Sequence, residues 1–230
     1  MNQMFHHAKW TTSSFYRDMY APRSEEATVR SAYVRKEFEV TKPVKSAELY
    51  ICALGLGTYT INGEAVTDGV LSTPFTVYDK RVLYHCHEVT HLLKDGTNCL
   101  GIHLGNGFYN NNMEAWKDKG ASWRDVPKVI FSIHMVYEDG TEGYVDSDST
   151  VKTFPGPALF NHMREGEMFD ARLLEEGFDK PGFDDAHWLP AKKRRCSNRL
   201  PRRSCRGTEI SGCPGGSDRR QKASWQLWSF

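Results

Sequence analysis

Along most of this chain apolar residues occupy every second position. Val34, Lys36, Phe38 and Val40 begin the alternation, and Ala47, Leu49, Ile51 and Ala53 resume it after Pro43. Leu100, Ile102 and Leu104 then alternate with Cys99, Gly101 and His103. A period of two places one set of side chains on a single face of an extended segment, so each run predicts a strand with one face inward. Val82, Tyr84 and Cys86 continue the series, and Val129, Phe131, Ile133, Met135 and Tyr137 predict its longest member. Turn chemistry separates the runs. Asn62-Gly63 between Tyr59-Thr60-Ile61 and Ala65-Val66 predicts a hairpin, because both central residues of a type I′ turn need positive φ. Glu138-Asp139-Gly140 predicts another, returning through Tyr144 and Val145. At least seven strands, interrupted only by a helix-like turn near 91–94, predict an all-β fold: an antiparallel jelly-roll sandwich, not a parallel α/β sheet.

This grammar covers residues 29–191. Residues 1–28 read as an irregular polar segment with Trp10 and Phe15 as anchors, and residues 192–230 have a different character. The tail holds eleven of the 30 Lys and Arg but two of the 29 acidic residues, a net charge of +9. The rest carries 19 basic against 27 acidic residues, a net of −8, so the overall +1 is a cancellation that says nothing about partners. The tail has neither strand nor helix periodicity, yet contains Trp225, Leu227, Trp228 and Phe230, which solvated disordered tails avoid. Its Arg, Ser, Gly, Pro, Cys and Trp content is what a coding region read out of frame yields, and that is the expected origin. The rival is a basic nucleic-acid or membrane arm, but no helical Lys/Arg face supports it, and nucleic acid is not an expected partner.

The first ten residues show no apolar core behind a basic start, and no run reaches the ~18 apolar residues of a membrane helix. Six cysteines divide evenly between the β-region and the tail without C-x-x-C spacing. The expectation is a cytoplasmic, soluble protein with reduced thiols and no membrane partner.

One stretch invites a catalytic reading. His87-Glu88-Val89-Thr90-His91 matches H-E-x-x-H, in which two histidines one helical turn apart hold zinc and the glutamate acts as base; a zinc hydrolase is therefore the alternative function. That chemistry needs a helix through 87–91. The approach from Arg81 is strand-like and Val89-Thr90 is a β-branched pair of low helix propensity, so the two histidines would lie roughly 13 Å apart along a strand. The expected structure is a strand end feeding a one-turn helix capped by Thr90. Gly55-Leu56-Gly57 precedes a strand, not a helix, and reads as turn glycine instead of a phosphate cradle.

Sugar recognition is the stronger candidate. Gly105-Asn106-Gly107-Phe108-Tyr109 opens the longest loop, through Asn110 and Trp116 to Trp123, and amides beside aromatic rings suit hydroxyls and C–H faces. The alternative is that Tyr109 and the tryptophans cap the sandwich. Glu165-Gly166-Glu167 and Asp170-Ala171-Arg172 place three carboxylates near a guanidinium, either a salt-bridged turn or part of a ligand or calcium site. No other cofactor is called for.

The segments AELYICALGLGTYTINGEAV (47–66), YDKRV (78–82), VTHLLKDGTNCLGIHLGNGFY (89–109), PKVIFSIHMVYEDGT (127–141), GEMFDAR (166–172) and GFDDAHW (182–188) together resemble the N-terminal region of bacterial α-L-rhamnosidases. The resemblance runs from about Trp10 to Ala191. It implies a galactose-binding-like jelly roll that packs on a catalytic (α/α)6 domain, and the family carries a non-metal turn resembling D-V-T-D-L-L where this chain has its histidines. It also implies that inverting hydrolysis of terminal α-L-rhamnosides rests on two carboxyls of that barrel. Nothing in residues 1–230 shows recurring helical hairpins, so no catalytic residue is assigned. The expected function is an accessory carbohydrate-associated domain, inactive alone, whose partners are a rhamnose-containing glycoside and the missing catalytic domain. Asp79, Asn106, Tyr109, Asn110, Trp116, Glu167, Asp170 and Arg172 are its candidate sugar-binding residues.

Overall fold

The computed structural model describes residues 4–16, 29–78, 81–110, 123–194 and 224–229. Their strands are, in chain order, β1 (Thr11–Thr12), β2 (Ala32–Val40), β3 (Val44–Leu54), β4 (Leu56–Ile61) and β5 (Glu64–Ala65). β6 (Arg81–Glu88), β7 (Gly96–Gly105), β8 (Lys128–Tyr137), β9 (Glu142–Asp146) and β10 (Lys152–Pro155) follow. The last are β11 (Ala158–His162), β12 (Gly166–Phe169), β13 (Leu189–Pro190), β14 (Lys192–Lys193) and β15 (Ser224–Ser229). Sheet A has the order β14-β1-β8-β3-β6-β15 with β9 beside β8, and sheet B the order β13-β10-β2-β7-β4-β5. All pairings are antiparallel, and β11–β12 forms a separate hairpin. Among the described residues no helix is long and apolar enough to cross a membrane.

The period-two runs of β2, β3, β7 and β8 face inward as predicted, whereas that of β6 (Val82, Tyr84 and Cys86) is corrected: it faces outward, where a second apolar layer covers it. Ala47, Leu49, Ile51 and Ala53 of β3 and Val129, Phe131, Ile133 and Met135 of β8 meet Ala32 and Val34 of β2 and Leu100, Ile102 and Leu104 of β7 in one core. Asn62 (φ 55°) and Gly63 (φ 83°) make the predicted β4–β5 turn, and Gly140 (φ 78°) the β8–β9 turn.

Both outward faces are also covered. Tyr50, Cys52 and Leu54 of β3 and Val82, Tyr84 and Cys86 of β6 point away from the core into a second cluster with Phe5, Tyr78 and Tyr109, against which Met4, Trp10 and Trp123 pack. Residues 4–16 of the N-terminal segment thus pack on the domain. Thr11 and Thr12 form β1 between β8 and β14, because their hydroxyls also donate to the Val129 and Pro127 carbonyls. Over sheet B, residues 174–188 form a strap: Phe178 and Trp188 pack on Tyr33, and Arg35 reaches Asp185. The fold continues through β14, and Arg194 donates to Asp125 at 3.0 Å, so the ordered structure crosses the 191/192 composition break.

The H-E-x-x-H stretch divides between two elements. His87 lies in β6 in register with Leu49, while His91 sits in a one-turn 3-10 helix, Thr90–Leu92. Because Val82, Tyr84 and Cys86 point outward, His85 and His87 point into the sandwich. His91 is exposed beside Glu88 at 3.3 Å. The predicted Thr90 cap is corrected: its hydroxyl accepts the Ala47 N–H at 2.7 Å, stitching the turn to β3, and the Glu88 carboxylate accepts the Thr90 N–H at 2.8 Å.

Candidate functional site

β7 leaves sheet B at Gly105, where the loop 106–110 meets the turn before β4 and the β11–β12 hairpin. Two glycines permit the approach. A Cβ on Gly55 (φ 126°) would strike the Gly105 carbonyl, and one on Gly107 (φ 53°) would lie 2.8 Å from the Gly55 carbonyl carbon. These conformations belong to glycine.

Asn106 organises this end. Its main-chain N–H donates to Asn161 Oδ1 at 2.7 Å, and its Nδ2 donates to the Val29 carbonyl at 2.6 Å and to Asn161 Oδ1 at 3.0 Å. Its Oδ1 accepts from Val29 N at 3.2 Å and from Asn110 Nδ2 at 2.7 Å. One fully buried amide therefore ties together residues 29, 110 and 161, supplying the donors and acceptors that non-strand backbone lacks. Asn110 is equally buried and accepts from Arg124 Nε at 3.3 Å. Tyr109 is buried edge-on to Tyr78, with Lys128 Nζ 5.3 Å from its ring centroid. Lys128 is itself buried, paired with Asp125 at 2.9 Å. Burial alone would raise the Asp125 carboxyl, but Lys128 and Arg194 together hold it below its ordinary value.

The second group of sequence candidates lies on the adjoining hairpin. Glu167 is in register with Asn161 across β11–β12, so the Asn106 loop and the acidic hairpin, sixty residues apart in sequence, meet through Asn161. Asp170 caps the one-turn helix Ala171–Leu173 by accepting the Arg172 N–H, and takes the Arg172 guanidinium on both oxygens at 2.9 and 2.7 Å. These bonds hold its carboxyl down to about 2. The salt-bridged-turn reading therefore describes Asp170 and Arg172. Calcium takes six to eight oxygen ligands. Here a guanidinium occupies both Asp170 oxygens, and the described residues do not fit that ion. Asp79 and Trp116 lie outside the described residues.

Exposed groups outside the sequence candidates also lie at this end. Phe108 packs edge-on to Phe75 at 5.8 Å, and Phe75 also meets Tyr78 and Trp123. Phe75 is 52% exposed, with Val70, Leu71 and Val77 exposed in the same loop. Met168 and Phe169 are exposed on β12. The signal was present: apolar residues persist through Thr67-Asp68-Gly69-Val70-Leu71-Ser72-Thr73-Pro74-Phe75, where a solvated loop would be polar.

Comparison with known proteins places this architecture. An α-L-rhamnosidase of Formosa agariphila is 38% identical over 167 residues, covering 71% of this chain and 17% of that protein. One from Streptomyces avermitilis is 32% identical over 174 residues, again 17% of its length. The chain thus spans about a sixth of these curated relatives. Among solved structures, the native α-L-rhamnosidase of Aspergillus terreus superposes with a TM-score of 0.75 at 32% identity, over 83% of this chain and 21% of that one. The Streptomyces avermitilis enzyme complexed with L-rhamnose gives 0.68 at 30% identity, over 73% and 16%. A Pleurotus ostreatus lectin, 20% identical with a TM-score of 0.51, shares the fold alone. The sequence profile described as the α-L-rhamnosidase N-terminal domain matches residues 42–210, and the chain belongs to that family.

Proposed function

We propose that this chain serves as an accessory, carbohydrate-associated domain of an α-L-rhamnosidase, with hydrolysis of terminal α-L-rhamnosides performed by the remainder of the full-length enzyme. The observation that carries the reading is the family match over residues 42–210 in a chain spanning about a sixth of its relatives. The Streptomyces avermitilis structure holds L-rhamnose, which makes a rhamnosyl group the first ligand to test. In this reading Asn106, Tyr109 and Asn110 act from within, bracing the loop, while Phe108, Glu167 and Arg172 supply exposed surface for the sugar. Exposed rings beside polar side chains suit a sugar that has both C–H faces and hydroxyls.

Two measurements test this. The chain alone should leave p-nitrophenyl α-L-rhamnoside intact, and titration with L-rhamnose should shift amide resonances of 106–110 and 166–172. Phe108→Ala should weaken that response at least several-fold with folding unchanged. Rhamnoside cleavage by the chain alone would overturn the accessory role, and absence of any rhamnose-dependent shift would remove the sugar contact while leaving the accessory role standing.

A further inference from the structure

We propose that the outer edge of β6, Arg81–Cys86, is a strand-accepting site, and that its occupant in this chain is the C-terminal segment Ser224–Ser229. β6 pairs with β3 only from His85 to Glu88, opposite Ile51 to Glu48. Its first residues find their ladder partner in β15, with which β6 runs antiparallel from Arg81↔Ser229 to Cys86↔Ser224. Val82 and Tyr84 are nevertheless firmly placed, 4% and 2% exposed in the aromatic layer over sheet A. Packing on one face therefore fixes this segment as an extended strand and presents its N–H and C=O groups in a row along the edge.

Such an edge is a template for another strand unless proline, charge or a bulge blunts it. Arg-Val-Leu-Tyr-His-Cys contains no proline and one formal charge. Recognition through main-chain hydrogen bonds tolerates many sequences. This explains how a tail without strand periodicity supplies a six-residue strand. The fit is to an extended, proline-free segment.

Chain length permits the pairing. β14 and β15 lie at opposite edges of sheet A, five inter-strand steps or about 24 Å apart. Residues 195–223 between them can extend to roughly 100 Å. Tethering raises the local concentration of the segment, so modest main-chain affinity suffices.

Amide hydrogen exchange on the full chain and on a chain ending at Arg194, which keeps β14 and the Arg194–Asp125 pair, tests the site. The amides of 81–86 that face β15 should exchange at least tenfold faster in the shortened chain, with β3 and β7 unchanged. A peptide of residues 222–230 should restore their protection in trans. Gln226→Pro with Leu227→Pro in the full chain should reproduce the loss, because donors alternate along an antiparallel strand and one of the two must face β6. Concentration-dependent association of the shortened chain that re-protects 81–86 would also support the site, a second copy then taking the edge. Equal exchange at 81–86 in both chains overturns the proposal. So does a loss that neither peptide nor self-association restores, since that marks local unfolding.

Discussion

Over sheet B the side chain at the centre of the outward face is an arginine, whereas over sheet A that position belongs to a group of rings. Arg35, its side chain 1% exposed, donates from Nε to the Phe178 carbonyl at 2.9 Å and from Nη2 to the Lys180 carbonyl at 3.1 Å and Glu37 at 2.6 Å. Its Nη1 pairs with Asp185, which Lys152 also contacts at 2.5 Å. On sheet A, Phe5 packs edge-on to Tyr84 at 5.6 Å and Tyr50 at 6.4 Å, and Tyr84 donates to Met4 Sδ. The arginine seal works only when each guanidinium donor meets its acceptor, because a buried charge without partners is costly. The aromatic seal gains from area and tolerates reorientation. Two segments from opposite ends of the chain thus close the sandwich by different physics, one directional and one not.

The largest expected effect follows. Arg35→Ala should lower stability by about 4 kcal/mol, because the Phe178 and Lys180 carbonyls lose their donor and the strap its anchor. Phe5→Ala should lower it by about 3 kcal/mol, through lost burial and an open edge over Tyr84. Urea midpoints measure both. Conservative replacements widen the contrast: Arg35→Met should remain strongly destabilising, while Phe5→Leu should cost about 1 kcal/mol. Equal losses for Arg35→Met and Phe5→Leu would mean that the two seals differ only in volume.

Acid separates buried imidazoles from paired carboxylates next. Burial, with His87 adding to it, lowers His85 from 6.5 to about 4. The unfolded chain binds this proton first as pH falls, so stability is full above 6.5 and declines down to about 4, by up to about 3 kcal/mol. Asp185 follows the opposite rule. Burial alone would raise its carboxyl, but Lys152 and Arg35 hold it below 3.8, so its contribution is present above that value and fades further into acid. Stability plotted against pH should therefore fall in two stages, first as the buried imidazoles protonate, His85 with His87 on β6 and His103 on β7, and then as paired carboxylates such as Asp185 do. His85→Leu should make the first stage shallower and leave the second unchanged. A variant with the parent slope between 6.5 and 4 would remove His85 from the account.

The interior was legible in the sequence because alternation reports one buried face per strand. The aromatic seal was legible only in part, through Trp10, Tyr109 and Trp123, and the arginine seal was not. Arg35 occupies the polar phase of β2, and only the return of Phe178, Lys180 and Asp185 some 145 residues later buries it. Residues 174–188 have no period, since a strap follows the surface beneath it instead of a lattice of its own. The bracing role of the loop amides was hidden for a related reason: Asn106 and Asn110 are as well suited to unpaired backbone as to a hydroxyl, and sequence does not distinguish the two. The β11–β12 residues could be named but not joined to that loop, because the link is Asn161, a position with no motif around it.

Glu37 offers the finest division of the arginine seal. Its Oε1 accepts from Arg35 Nη2 and from the Gly182 N–H at 2.8 Å, while the side chain remains 37% exposed. Glu37→Gln keeps an oxygen for both donors and removes only the charge. Water already screens that charge, and Asp185 still faces the guanidinium, so the loss should stay below about 1 kcal/mol. The urea midpoint of this variant, set beside that of Arg35→Ala, distinguishes geometry from charge. A loss for Glu37→Gln approaching that of Arg35→Ala would show that net charge around the guanidinium holds the strap, and the contrast between a directional and a non-directional face would have to be redrawn as one between charged and neutral faces.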